Sequence, residues 1–260
     1  MQLIRYLEGD QPRYGQLEGE TVRPLEGDVF GEYSVGHPER KLADCRLLAP
    51  CTPSKVIGVG KNFKQGFAKE ADWFKYPGLF LKLPTSVVGP NDPIVLPRIV
   101  TGVLYEAELA LVIGKKAVDV TQVDAMDYVF GYTCMNDVST REYAMEDVED
   151  FGAGGALVKA CDAFGPMGPV IRTDLDPSSA RIRAWLNGEL KQDATTADLV
   201  HNVAQIVSFA SGVFTLLPGD VITTGTPPGI EVIHAGDVIE CEVEGIGRLR
   251  NAVVTKEASE

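Results

Sequence analysis

The stretch LYEAELALVIGKK, residues 104–116, sets two carboxylates inside an apolar run. Leu104, Ala107, Leu109, Ala110, Leu111, Val112 and Ile113 surround Glu106 and Glu108. A run this short and this apolar reads as a buried strand. Residues i and i+2 of a strand face the same side, so the two glutamates project together, their Cα atoms roughly 6.5–7 Å apart. Like charges that close repel, and burial worsens the conflict. A divalent cation between them resolves it; a solvated strand face is the plainer alternative. GYTCMNDVSTRE (131–142) then places Asp137 at the end of a second apolar segment, as a turn residue or as a third oxygen ligand. Three carboxylates without His or Cys favour a hard cation, Mg²⁺, with Mn²⁺ or Ca²⁺ as alternatives. Three protein ligands on an octahedral ion leave room for a chelating 2-oxo acid.

Outward from this core the chain reads as β-rich, with few helices. VIGVG (56–60), PGLFLKLPTSVVGP (77–90), ARIRAWLNG (180–188), DVITTG (220–225) and DVIECEVEGIG (237–247) are strand-like, the last alternating as a half-exposed strand does. TADLVHNVAQIVSFASG (196–212) is the best helix, stopped at Gly212, and NFKQGFAKEADWF (62–74) a weaker one. TQVDAMDYV offers Thr121 as a helix cap. Residues 1–50 form a small N-terminal β domain, and LLAPCTPSK (47–55) leads into a larger unit over 51–260.

With 45% hydrophobic residues in 260, the chain can bury a large core. A net charge of −13 argues against a nucleic-acid partner. No apolar run approaches the roughly 18–20 residues of a membrane span, and the N-terminus lacks a signal-peptide core, so a cytoplasmic protein is expected. Cys45, Cys51, Cys134, Cys161 and Cys241 are scattered, as buried thiols of a reducing compartment would be. His37, His201 and His234 show no metal-ligand spacing.

These segments together resemble the fumarylacetoacetate hydrolase family, in the branch of the 2-hydroxyhepta-2,4-diene-1,7-dioate isomerases and acylpyruvate hydrolases. The pieces VIGVGKNF, PGLFLKLPTSVVGPNDPIVLP, YEAELALVIGK, GYTCMNDVSTRE, VKACDAFGPMGPVI, TTGTPPGI and GDVIECEVEGIGRLRN follow in the family's order over residues 55–255. The resemblance implies a mixed β-rich α+β fold: a β-sandwich roll with peripheral helices, forming homodimers. It implies metal ligation by Glu106, Glu108 and Asp137. Lys159 would meet the substrate's developing negative charge. Gly225 and Thr226 would lie at the substrate carboxylate, and Arg141 and Lys82 would line the pocket. Taken alone, a lysine is ordinarily a solvated tip and TTGTPPGI an ordinary loop; next to a metal-held enolate both acquire a task.

One departure bears on the chemistry. Hydrolytic members usually carry a histidine after the G-x-N-[YF] element, with a glutamate three residues on. This chain reads GKNFKQGFAKE, with Gly66 or Phe67 in the histidine's place and Glu70 as the remaining acidic candidate. A general base contributes roughly 10²–10⁴-fold. Its loss favours isomerisation, tautomerisation or decarboxylation of small 2-oxo or 2-hydroxydienoic diacids through a metal-held enolate. A C–C hydrolase with a substitute base (Glu70, Lys61, Lys64, Glu142 or His234) and a non-catalytic metal- or ligand-binding protein are the alternatives. Phe67, Trp73, Phe74 and Tyr76 would suit a bulkier substrate, or simply loop packing.

Overall fold

The computed structural model describes residues 1–100, 102–140 and 156–256. A thirteen-stranded sheet dominates. Its central portion runs, neighbour to neighbour, through Gln2–Glu8, Gly165–Arg172, Val129–Asn136, Ala107–Ile113, Val221–Thr223 and Val56–Gly60 to the edge strand Gly78–Lys82. A second sheet of five strands runs Ile94–Leu96, Gly247–Thr255, Val238–Val243, Arg181–Leu186 and Glu189–Thr195. The β-rich reading holds.

Ala107–Ile113 is buried at every position, so it shows no polar alternation. The reason is that both its faces are covered. Leu109, Leu111 and Ile113 join a core that includes Ile182, Ile239, Val243 and Leu249 of the second sheet. Ala110 and Val112 enter a separate core with Leu3, Val56, Met135 and Ile171. Val238–Val243, by contrast, alternates half-buried and buried, as its sequence predicts. The N-terminal strands are bonded into the large sheet, Gln2 opposite Arg172 and Leu3 opposite Ile171.

The helical expectations need correction. The helix expected over 196–212 runs Val203–Val213 instead. Asn202 caps it by accepting from Gln205 N, while the Gln205 side chain accepts from Asn202 N. That reciprocal box fixes the start and leaves Thr196–Asp198 as a separate 3-10 turn. Gly212 lies inside the helix, not at its end. Residues 62–74 form no α-helix, only 3-10 turns at Lys64–Gly66 and Glu70–Asp72. Thr121 bonds Asp124 ahead of a 3-10 turn at Ala125–Tyr128 and caps no α-helix.

Candidate active site

The three carboxylates come together through strand register. Ala107 lies opposite Asn136, and the ladder extends one step further with Asp137 N donating to Glu106 O at 2.8 Å. Residues directly opposite in an antiparallel pair share a face, and so do i and i+2 of one strand. Glu106, Glu108 and Asp137 therefore converge, each offering an oxygen within 4.8 Å of the others. The arrangement is braced. Ser139 Oγ donates to Glu106 Oε1 at 2.6 Å, and Gly225 N donates to Glu108 Oε2 at 2.7 Å. Gly225 has φ +94°, and a side chain there would crowd Asn62 and the Val59 carbonyl.

Two lysines meet this cluster in different ways. Lys159 Nζ lies 2.8 Å from Glu106 Oε2 and 2.6 Å from Asp137 Oδ2, and 4.8 Å from the Phe80 ring centroid. Lys82 is fully buried, its ammonium 2.8 Å from Asp137 Oδ1, 3.0 Å from the Val138 carbonyl and 2.6 Å from the Lys159 carbonyl. Lys82 thus donates to two main-chain carbonyls and is ion-paired with Asp137. Lys82 is not a pocket-lining group, as the resemblance implied; it lies behind Asp137 and positions it. The inversion follows from Gly78–Lys82 being an edge strand whose Leu81, with Leu83 just beyond it, is exposed while Lys82 points inward.

Burial raises the Glu108 carboxyl well above its ordinary range, and the charges of Asp137 and Glu106 raise it further. Glu106 is raised mainly by burial, against the pull of Lys159. Burial opposes ionisation of Asp137, yet Lys82 and Lys159 hold its carboxyl below the usual value. Burial likewise opposes the Lys159 charge, but Asp137 and Glu106 overcome it and raise that group. Three buried carboxylates with two ammonium groups leave one negative charge in excess. An all-oxygen donor set in that state fits a divalent cation of the Mg²⁺ or Mn²⁺ kind.

Glu106, Glu108 and Lys159 open onto a cavity of about 600 Å³. Its lining includes Thr226, Pro227, Pro228 and Ile230, Phe80 and Val158, and Lys61, Phe63, Gln65 and Gly66. Thr226 Oγ1 donates to the Ala107 carbonyl at 3.0 Å and accepts from Gln192 Nε2 at 2.9 Å. Its only proton is committed, so it orders the wall and has none for a substrate carboxylate. Gly66, not Phe67, is the position on the cavity, and a side chain there would meet nothing within 4 Å. Phe67 instead packs edge-on against Phe74.

Glu70 is exposed and absent from the cavity wall. His234 is exposed, and His201 bonds the Phe74 carbonyl through Nε2 at 3.0 Å; none of the three histidines reaches the cavity. Tyr76 stacks on Phe209 and Lys64 lies over Trp73, so the aromatic residues of this loop serve packing. Arg141 and Glu142 lie outside the described residues.

Sequence reasoning missed Ser139, Phe80 and Gln192. Gln192 is fully buried, donating to Thr226 Oγ1 and the Pro227 carbonyl and accepting from Ala107 N. In ELKQDAT nothing sets it apart from its polar neighbours. Phe80 did carry a signal, because Gly58 opposite it in the paired strand leaves the space its ring fills.

Comparison with known proteins places the chain in a family and a fold. Residues 55–254 match the family model described as fumarylacetoacetate (FAA) hydrolase C-terminal, and residues 1–50 match Rv2993c-like, N-terminal. The chain is 40% identical to Protein Rv2993c of Mycobacterium tuberculosis, over 98% of this chain and 99% of that protein. It is 42% identical to the 4-hydroxyphenylacetate degradation bifunctional isomerase/decarboxylase of Escherichia coli, covering 96% of this chain and 57% of that protein. Among solved structures, the 5-carboxymethyl-2-hydroxymuconate delta-isomerase of Mycobacterium smegmatis superposes with a TM-score of 0.90 at 40% identity, over 98% of this chain and 100% of that one.

Proposed function

The chain belongs to the fumarylacetoacetate hydrolase family, and on that premise we propose that it is a Mg²⁺-dependent enzyme of isomerase, tautomerase or decarboxylase type. Its substrates are small 2-oxo or 2-hydroxydienoic acids. One observation carries the reading. A buried carboxylate trio with an adjoining ammonium faces a cavity whose wall, at Gly66, has no side chain to activate water.

When bound, the cation supplies chelation and polarisation of the substrate's 2-oxo group, which acidifies the neighbouring C–H. The protein supplies the rest. Lys159 carries its charge at the junction of trio and cavity, where negative charge develops as that C–H gives its proton to solvent water or as a β-carboxylate leaves as CO₂. A fixed cation in a site of low water content stabilises such charge far better than solvent does. Val59, Phe63, Phe80 and Ile230 limit water around it. The Gly225–Thr226 turn holds Glu108 and closes the wall, with Gln192 beneath it.

The test is NMR of the Mg²⁺-loaded protein in D₂O with oxaloacetate, acetylpyruvate, fumarylpyruvate and a 2-hydroxydienedioate. Deuterium uptake at C3, or CO₂ release, without hydrolytic cleavage is expected. Lys159→Met should slow it by about 10²–10³-fold with the metal still bound. Pyruvate together with a second acid as the products would overturn the reading in favour of C–C hydrolysis.

A further inference from the structure

The cavity's charges are unevenly committed. Glu106 and Glu108 stand at its metal end, and Lys159 is paired there with Glu106 and Asp137. The body of the cavity is apolar, built from residues such as Val59, Phe63, Phe80 and Pro228. Lys61 is the remaining charged residue of the described wall, and among the described residues its ammonium has neither an ion pair nor a hydrogen bond.

Its backbone is unusual as well. Lys61 follows directly on the strand Val56–Gly60 and has φ +48°, a left-handed conformation that side chains other than glycine and asparagine seldom adopt. The strain is held in place by the next residue. Asn62 is fully buried, donates from Nδ2 to the His201 and Thr224 carbonyls, and accepts at Oδ1 from His201 N. Its own carbonyl accepts from Val200 N at 2.7 Å. The surroundings thus over-determine the turn, and with it the place of Lys61 on the wall. Strain kept in this way concentrates where a side chain must stand at a particular point of a site.

We propose that Lys61 binds a second carboxylate of the substrate, across an apolar span from the carboxylate trio, and so selects dicarboxylates over monocarboxylates. The inference rests on the proposed function, in that the substrate's 2-oxo end lies at the trio. Lys61 is itself solvent-exposed, but a lysine tip in solvent needs no fixed backbone, whereas one that must reach one end of an elongated ligand does.

The experiment uses a matched pair of elongated substrates, fumarylpyruvate against crotonylpyruvate. The readouts are kcat and KM of the Mg²⁺-loaded protein, and calorimetric binding of 2-oxoglutarate against 2-oxobutanoate. The wild type should favour each diacid. Lys61→Met should reduce that preference about ten- to a hundredfold, the loss appearing in KM and not in kcat, and Lys61→Arg should retain most of it. An unchanged diacid preference in Lys61→Met overturns the proposal, as does an equal loss on both members of a pair. If neither substrate is turned over while 2-oxoglutarate binding still depends on Lys61, the anchor stands and the proposed reaction fails.

Discussion

Lys82 shows what a single residue does here. It was expected on the pocket wall, and it lies wholly inside the protein behind Asp137. Removing one partner of a buried pair leaves the other charge uncompensated, at a cost of about 3–5 kcal/mol. Lys82→Met should therefore lower stability by that order in urea unfolding of the metal-free protein. Saturating Mg²⁺ should restore part of it, since the cation neutralises the same carboxylate; a loss below about 1 kcal/mol would contradict the role given to Lys82. Glu106 and Glu108 have a different signature. Their carboxyls are raised in the fold, first by burial. A raised acid group disfavours the folded state once pH climbs past its unfolded value, about 4.3 for glutamate. The destabilisation grows until the folded-state value is passed, and a bound cation removes it. The rise in melting temperature on adding Mg²⁺ to EDTA-treated protein should accordingly increase from pH 5 upward. A rise independent of pH would count against two strained carboxylates at the site.

At the scale of the element, register makes the site. One hairpin-like pair of strands, Ala107–Ile113 and Val129–Asn136, extended by one residue at Glu106 and Asp137, brings the three carboxylates to a shared face at its end. This much was legible, since alternation along a strand is fixed geometry and an acid pair inside an apolar run is conspicuous. The neighbouring strands were harder to read. Gly78–Lys82 carries Leu81 outward and its lysine inward, the reverse of what hydrophobicity suggests, because Asp137 waits behind it. Gly58 opposite Phe80 is a further device: a methyl group there would overlap the Phe80 ring. Gly58→Ala should cost about 1–3 kcal/mol by overpacking and displace Phe80, the ring beside Lys159. Turnover should then fall further than the lost stability explains, measured where the variant is still fully folded; unchanged turnover would show that Phe80 does not seat Lys159. The segment 62–74 misled because its apolar residues mimic a helical period, whereas Phe67 and Phe74 pack on each other across two short turns.

At the scale of the molecule, the two-sheet architecture gives the trio its buried setting, with the central strand covered on both faces by separate cores. Composition and strand patterning showed the class of fold, but not that residues 1–50 extend the same sheet, since pairings such as Gln2 with Arg172 join residues far apart in sequence. The carboxylate trio was readable from local spacing and family resemblance. The supports Gln192 and Ser139 were not, and Lys82 was found but set on the wrong side of Asp137, because each acts through contacts that only the folded chain creates. The account depends on one claim, that Glu106, Glu108 and Asp137 together hold a single divalent cation. Calorimetric titration of EDTA-stripped protein with Mg²⁺ and Mn²⁺, beside Glu108→Gln and Asp137→Asn, tests it most directly. The account predicts one ion per chain in the wild type and none in either variant, with circular dichroism showing all three folded. Stoichiometric binding retained in either folded variant, or no binding in the wild type, would contradict it.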